Sequence, residues 1–203
     1  MPEDRTSAAD LFDAIGADYE KAFGDRPIMA AAIEELRADL PPGARVLDIG
    51  SGTGRPVAAE LAAAGHRVTG IDVSAEMVRI ARAQVPGASF VQADVRDWET
   101  EPGSWDGVCA FFAFLQMPRA DTERVLSRIA DWLVPGGRLA LGTVPVDVED
   151  APVEFLGHAI RVTSFSADAL VDLVRAAGST VTGSRAEVFG AEEQMLISAR
   201  KPG

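Results

Sequence analysis

Three carboxylates and three glycines have the types and spacing to hold a ligand. The stretch VLDIGSGTG, residues 46–54, runs from four residues of buried-strand character into a segment where every second residue is glycine: Gly50, Gly52 and Gly54. A strand that enters a glycine-rich turn and then a helix builds a nucleotide-type pocket. Without a Cβ the backbone admits a ligand closely, and the free N–H groups of the next helix favour anionic groups. Taken alone, the glycines also fit a purely structural turn. Their spacing is G-x-G-x-G, with Arg55 where the third glycine of the dinucleotide fingerprint would stand. Asp48 lies in the strand just before the loop, where it would repel a pyrophosphate and attract an ammonium. Asp72 closes the next strand, in GIDVS, where an acid can accept hydrogen bonds from a ribose diol; the competing reading is an acid local to the turn before Ser74. Asp94, in QADVRDW, ends the strand after that. It can accept from an exocyclic amine such as adenine N6, with the Val95 N–H meeting a ring nitrogen.

These residues need a sheet to line them up. From about residue 43 the chain alternates strand and helix signals, which implies a parallel sheet covered by helices on both faces. The strand signals are ARVLDIG, RVTGID, SFVQAD, DGVCAFFAF and RLALGTV, mostly continuous apolar runs, as expected of strands buried on both sides. Between them lie RPVAAELAAAG, closed by Gly65, and AEMVRIARAQV, capped by Ser74. The helix TERVLSRIADWLV is opened by Asp121 and ended by PGG, residues 135–137. The polar, acidic PVDVEDAP reads as a loop leading to VEFLGHAIRVTSF. Ser166 caps ADALVDLVRAAG. TVTGSRAEVF and EQMLISARK, turning around Gly190 and Ala191, make an antiparallel hairpin. Upstream, AADLFDAIGADYEKAF and PIMAAAIEELRADL read as amphipathic helices, so residues 1–40 form a helical cap on a unit spanning 41–203, and the polar start MPEDRTSAAD is expected to fray.

Composition bounds the partners. The chain has 203 residues, 47% of them apolar and 25% charged, with a net charge of −12. Its basic residues are almost all arginine, the lysines being Lys21 and Lys201, and they form no run. Phosphate backbones and anionic membranes repel such a surface, so neither nucleic acid nor membrane is an expected partner. Neither a signal peptide nor a span-length apolar run is evident, and the expected location is cytoplasmic. Cys109 is the single cysteine and reads as a small buried hydrophobe. His66 and His158 are too few and too separated for a metal site, and no metal is expected.

In this order, the motifs resemble those of the class I S-adenosylmethionine-dependent methyltransferases, over roughly residues 40–200. VLDIGSGTG looks like the family's first motif, GIDVS its ribose-binding acid and QADVRD its adenine site. WDGVCAFFAFLQM resembles the fourth strand and LVPGGRLAL the turn into the fifth. The resemblance implies a Rossmann-like, doubly wound α/β sheet of seven strands in the order 3-2-1-4-5-7-6, with strand 7 antiparallel. It implies S-adenosyl-L-methionine as cofactor, with Gly50 and Gly52 against its amino-acid part, Asp72 on the ribose, Asp94 on the adenine and Met77 packed on the adenine face. Asp48, Ser51, Val73, Val95 and Phe111 are grouped with them as cofactor-binding. Tyr19 sits on a helix that lids the cofactor in similar proteins, and its hydroxyl is a candidate for the sulfonium region, with plain packing as the alternative.

The reaction so implied is methyl transfer by in-line displacement to a small molecule, with an oxygen, nitrogen or carbon nucleophile. Family members acting on hydroxyls or amines often carry a histidine shortly after strand four; here Gln116 stands near that position, able to orient a substrate but not to act as a base. His158, in EFLGHAIRV, is the other candidate catalytic residue. Phe114, Met117 and Phe155 are candidates to line a small apolar substrate cavity. The segment around His158 looks similar to small-molecule members of bacterial secondary metabolism, and a homodimer is kept open as an assembly. Two alternatives stand beside this reading: a non-methylating S-adenosylmethionine-binding protein, and a nicotinamide-dependent oxidoreductase.

Overall fold

The computed structural model of the chain describes residues 7–23, 27–190 and 192–203. The first six residues of the polar start and Ala191 of the last turn lie outside them. The core of the fold is a strand–helix alternation: β1 (Arg45–Ile49), α4 (Val57–Ala63), β2 (Arg67–Asp72), α5 (Ala75–Gln84), β3 (Ser89–Gln92), β4 (Trp105–Phe111), α6 (Arg119–Trp132) and β5 (Leu133–Thr143). After it come a hairpin of β6 (Val148–Phe155) and β7 (His158–Ser164), α7 (Ala167–Ala176), β8 (Thr180–Phe189) and β9 (Glu192–Arg200). Before it stand α1 (Ala8–Ile15), α2 (Asp18–Phe23) and α3 (Pro27–Asp39).

The main sheet has seven strands in the order β3-β2-β1-β4-β5-β9-β8. With β6 and β7 set apart in their own two-stranded sheet, this is the expected 3-2-1-4-5-7-6 order. β9 runs antiparallel to both β5 and β8, as expected. Continuous apolar strands bury both faces. On one side Leu47, Val108 and Leu139 meet Val125 and Ile129 of α6 and Val174 of α7. On the other Val46, Cys109 and Ala140 meet Ile33 and Leu36 of α3, Leu61 of α4 and Ala81 of α5. α3 is thus fixed against the sheet, whereas α1 and α2 are tied to α5. Asp13 of α1 accepts from the Ser74 hydroxyl at 2.6 Å and the Glu76 N–H at 3.0 Å, and Glu20 of α2 accepts from Gln84 at 3.1 Å.

Four local expectations change. Of MPEDRTSAAD, expected to fray, residues 1–6 lie outside the described residues, while Ser7 accepts from the Asp10 N–H and caps α1, so residues 7–10 open a helix. The single helix over AADLFDAIGADYEKAF is two, divided at Gly16, whose φ of +49° ends α1. The helix α6 stops at Trp132, and PGG lies within β5, where pairing with β4 shifts register between Trp105 and Gly107. PVDVEDAP is not a free loop: most of it is β6, bulged between Val148 and Ala151, with Asp150 at φ +53°.

Candidate functional site

Parallel strands put their C-terminal ends at one edge, and a topological switch point there opens a cleft. β1 lies between β2 and β4, whose chains leave in opposite directions, so the switch falls at the end of β1, where the glycine loop begins. The Gly50 and Ser51 N–H groups both donate to the Ile71 carbonyl of β2, at 2.8 and 3.0 Å, and turn the loop across that strand. Two glycines then serve different ends. At Gly50 (φ +67°) a Cβ would lie 2.6 Å from the Ala113 Cβ; at Gly52 (φ +51°) a Cβ would meet nothing within 4 Å. The first glycine lets the β4 exit pack against the loop, and the second faces open space.

Asp72 ties the loop to β2. Its Oδ2 accepts from the Gly52 N–H and its Oδ1 from the Ser74 N–H, both at 2.9 Å. The turn role and the ligand role are therefore compatible, because a carboxylate has about four lone-pair positions and two remain. Burial pushes the Asp72 carboxyl above the ordinary range, opposed by these N–H donors. Its neighbour Val73 is half-buried and accepts through its carbonyl from Gln92. Asp48 is more deeply placed, 2% exposed, and lies beneath the loop. Its Oδ1 takes the Cys109 thiol at 3.6 Å, while its Oδ2 and the Ser51 Oγ are buried and unpartnered. Cys109 is buried as expected, and it is also a donor.

Burial pushes the Asp48 carboxyl up to about 7, the Cys109 hydrogen bond opposing and the Asp72 charge adding to the rise. A folded-state value above the unfolded one means that the native chain holds a proton the unfolded chain has lost. The contribution to stability is therefore complete below about pH 4 and is lost as pH rises to about 7. Denaturant unfolding at pH 5 and pH 8 should show Asp48→Asn gaining on wild type at the higher pH. A difference that does not change with pH would mean that Asp48 is ionised throughout.

Asp94 lies two residues beyond β3, beside Asp72 along the same edge, since the Ala93 N–H still donates to the Asp72 carbonyl at 2.9 Å. The Arg96 guanidinium bonded to it holds its carboxyl below the ordinary range. Val95 is buried in the core against α6, and Met77, on α5, is buried at 1% exposure. Tyr19 is half-buried on α2, its ring edge-on to Phe12 with centroids 5.7 Å apart. Phe111 is buried at the end of β4, and the chain leaves it through Phe112 in a left-handed conformation (φ +58°), held by its N–H on the Gly142 carbonyl at 2.7 Å. Strain of this kind persists only where the surroundings over-determine it; here the turn presses Ala113 onto Gly50.

Gln116 sits in the same exit turn, half-buried, with its Oε1 inaccessible and unpartnered. The β6–β7 hairpin is moored nearby: the Thr163 N–H donates to the Leu115 carbonyl at 2.7 Å and the Ser164 hydroxyl to the Val144 carbonyl at 2.6 Å. His158 pairs with Phe155 at the far tip, five residues along β7 from Thr163. At ~3.4 Å per residue that is roughly 17 Å of strand. The structure therefore gathers Gly50, Ser51, Gly52, Asp72 and Asp94 at one edge and does not bring His158 beside Gln116. Phe114 and Met117 are core residues. Phe114 also borders a cavity of about 10 Å³ with Thr143 and Thr163, room for one water rather than a substrate. A wider cleft of about 300 Å³ lies between α2 and the start of α4, lined by Glu20, Arg55 and Glu60. His66, just before β2, is buried at the opposite end of the sheet. Sequence reasoning missed Asp13 and Arg96. Arg96 had a weak signal, a cation two residues from an acid in DVRD; Asp13 had none, since its partners lie 61 and 63 residues away.

Comparison with known proteins bears on this geometry. The methyltransferase domain family matches residues 46–137. The O-methyltransferase cnsE of Penicillium expansum is 33% identical over 197 residues, covering 88% of this chain and 70% of that protein. The chain belongs to the class I S-adenosylmethionine-dependent methyltransferases. Another methyltransferase, the trans-aconitate 2-methyltransferase of Paracidovorax citrulli, is 40% identical over 108 residues, covering 52% of this chain and 40% of that protein. The chain thus spans less than half the length of that relative. Among solved methyltransferases, the 1,6-didemethyltoxoflavin-N1-methyltransferase of Burkholderia thailandensis, with 1,6-didemethyltoxoflavin and S-adenosylhomocysteine bound, aligns with a TM-score of 0.77. That alignment has 25% identity and covers 96% of this chain and 87% of that one. Membership of the methyltransferase family removes the nicotinamide alternative. Among the described residues no group of three or more His, Cys, Asp or Glu side chains is placed to hold a metal ion, and no helix is long and apolar enough to cross a membrane.

Proposed function

We propose that the protein transfers the methyl group of S-adenosylmethionine to a small-molecule acceptor. One observation carries the reading: a buried carboxylate, Asp72, joined at 2.9 Å to the N–H of Gly52, the glycine that faces open space. The fit to the cofactor is good. Asp72 keeps acceptor capacity for a ribose diol, Val73 borders it, Asp94 stands one strand further out, and Asp48 Oδ2 and Ser51 Oγ are polar atoms short of partners near an incoming amino-acid moiety. When bound, the cofactor supplies a methyl group on a sulfonium, already a good leaving group. The chain's own task is then positioning and exclusion of water. Met77, Val95 and Phe111 shape the floor, and α1 and α2, with Tyr19, act as a lid. Residues 1–40 serve as the helical cap of the 41–203 unit.

Gln116 orients the acceptor through its side-chain amide. The β6–β7 hairpin with His158 at its tip folds over the mouth. The relatives are named for trans-aconitate, for an O-methyl transfer and for N1 of 1,6-didemethyltoxoflavin, which supports a small acceptor whose oxygen or nitrogen attacks the methyl carbon. A net charge of −12 disfavours nucleic acid as the acceptor, and the segment around His158, similar to small-molecule members of bacterial secondary metabolism, favours a cytoplasmic metabolite. A homodimer is compatible with the reading.

The experiment is incubation with methyl-labelled cofactor and a panel of phenols, carboxylic acids, amines and heterocycles. Label should pass to at least one. Tight S-adenosylhomocysteine binding with every acceptor unlabelled would favour instead a non-methylating member, the reading supported by the missing histidine near Gln116. With a labelled acceptor in hand, Gln116→Ala should raise its KM about tenfold, the worth of one hydrogen bond of ~1.4 kcal/mol, and leave cofactor affinity unchanged. His158→Ala should change turnover less than about threefold, as expected of a hairpin-tip residue outside the bond-making geometry. Steady-state kinetics of both variants check the two roles.

A further inference from the structure

The carboxylate assigned above to adenine is already gripped from one side. Arg96 donates through Nε to both oxygens of Asp94 at 3.0 Å and through Nη2 to Oδ2 at 2.5 Å, and its backbone N–H donates to Oδ1 at 2.9 Å. The guanidinium reaches on to Asp121 at the start of α6, Nη1 to Oδ2 at 3.6 Å, and Asp121 also takes Arg124 at 2.9 Å. From the helix, Arg128 donates to the Arg96 carbonyl at 2.6 Å, to the Val95 carbonyl at 3.3 Å and to that of Trp98. The segment after β3 is thus stitched to α6 by two arginines, and the Asp94 side chain is held by the first of them.

Counting hydrogens gives the consequence. A carboxylate offers about four lone-pair positions. Arg96 sets three hydrogens against them, the backbone N–H, the Nη2–H and an Nε–H shared between the two oxygens, which leaves room for one further donor on a side chain that is 26% exposed. We propose that Arg96 is a positioning residue that leaves Asp94 a single, fixed acceptor and so makes the site select a purine with a 6-amino group. A 6-amino group supplies one donor to that acceptor. A 6-oxo group would set an oxygen against the carboxylate, and a 6-hydrogen would leave it unpaired. Without the fork, the Asp94 carboxylate keeps only the backbone N–H of residue 96 on Oδ1, its other positions hydrate, and ordering it on binding costs more conformational entropy. The pair is too exposed, with Arg96 at 43%, to matter much for stability, so its role should appear in ligand discrimination rather than in folding.

This rests on the reading of the cleft as an adenosyl site, and the experiment separates the two. Calorimetric titration of the full chain would use S-adenosylhomocysteine and its analogue with hydrogen in place of the 6-amino group, against wild type, Arg96→Ala and Arg96→Lys. Wild type should prefer the amino ligand by roughly tenfold or more, since a site built to pair a donor rejects a ligand lacking it. In Arg96→Ala the preference should fall below about threefold while affinity for the 6-hydrogen analogue changes less than about twofold, because only the 6-amino contact depends on the fork. Arg96→Lys, which keeps the charge and drops the fork, should fall between and carries the comparison if the alanine variant does not fold. An undiminished preference in the Arg96 variants, including equal loss of both ligands, would overturn the positioning role while leaving the adenosyl reading intact. No preference in wild type would overturn the assignment of Asp94 to adenine itself.

Discussion

Asp72→Ala is expected to weaken S-adenosylhomocysteine binding by about 100-fold. A hydrogen bond to a charged group is worth about 1.5–3 kcal/mol and each ~1.4 kcal/mol is tenfold, so two ribose hydroxyls lost from one carboxylate reach that size. The structure adds a second route to the same loss. The Gly52 and Ser74 N–H groups that Asp72 holds at 2.9 Å lose their acceptor, and the loop loses its tether to β2. Stranded donors destabilise the fold by roughly 1–3 kcal/mol each where water cannot reach them, offset in part because a carboxylate raised by burial no longer has to be desolvated. Affinity should therefore fall further than the unfolding midpoint suggests. Asp72→Asn, which keeps one carbonyl acceptor, should lose about half as much in free energy. Titration calorimetry with a thermal melt of each variant reads both quantities. Unchanged affinity in Asp72→Ala would remove the ribose assignment.

The two glycines that bracket Ser51 should fail in opposite ways. Gly50→Ala places a methyl 2.6 Å from the Ala113 Cβ at a φ of +67°. Left-handed strain of about 1–3 kcal/mol and overpacking of about 1–3 kcal/mol then act together, a large share of a typical domain's 5–15 kcal/mol. Neither neighbour can yield easily, since Ala113 is pinned by the strained Phe112 turn and Gly50 by its bond to Ile71. A Cβ at Gly52 meets no protein atom within 4 Å, so the main expected cost of Gly52→Val to folding is backbone strain at a φ of +51°, while its side chain projects into the space assigned to the cofactor. The expected pair is a destabilised Gly50→Ala and a folded Gly52→Val with no measurable cofactor binding, read by denaturant unfolding and titration. Normal binding by Gly52→Val would show that the loop does not wall the pocket.

Most strands and helices, the terminal antiparallel hairpin and the family motifs were legible in the chain because each has a near-neighbour cause; the order of the strands in the sheet was implied only by the family resemblance. Glycines at residues 50, 52 and 54 reflect local backbone geometry. Ser74 and Ser166 cap helices by bonding the N–H three residues on. Buried strands show as unbroken apolar runs in any order of packing. The β6–β7 hairpin was not legible, since it stands outside the main sheet, buries little on either face and carries charges and Pro152 where a periodic apolar pattern would be sought. The split at Gly16 was hidden because the apolar period of AADLFDAIGADYEKAF runs on through the break.

By itself, then, the sequence determined most of the elements and the residue types offered at the edge, and the order of strands came through the family those residue types resemble. Only the tertiary structure decided how those residues are engaged. It decided that Asp72 is already bonded to the loop, that Asp48 lies beneath the loop with Cys109, that Arg96 sets three hydrogens against Asp94, and that His158 rides a hairpin away from Gln116. The physical reason is range. A cap or a glycine turn is settled within four residues, whereas the Asp48–Cys109 and Asp13–Ser74 contacts each close a separation of 61 residues, and nothing local to either partner encodes the other.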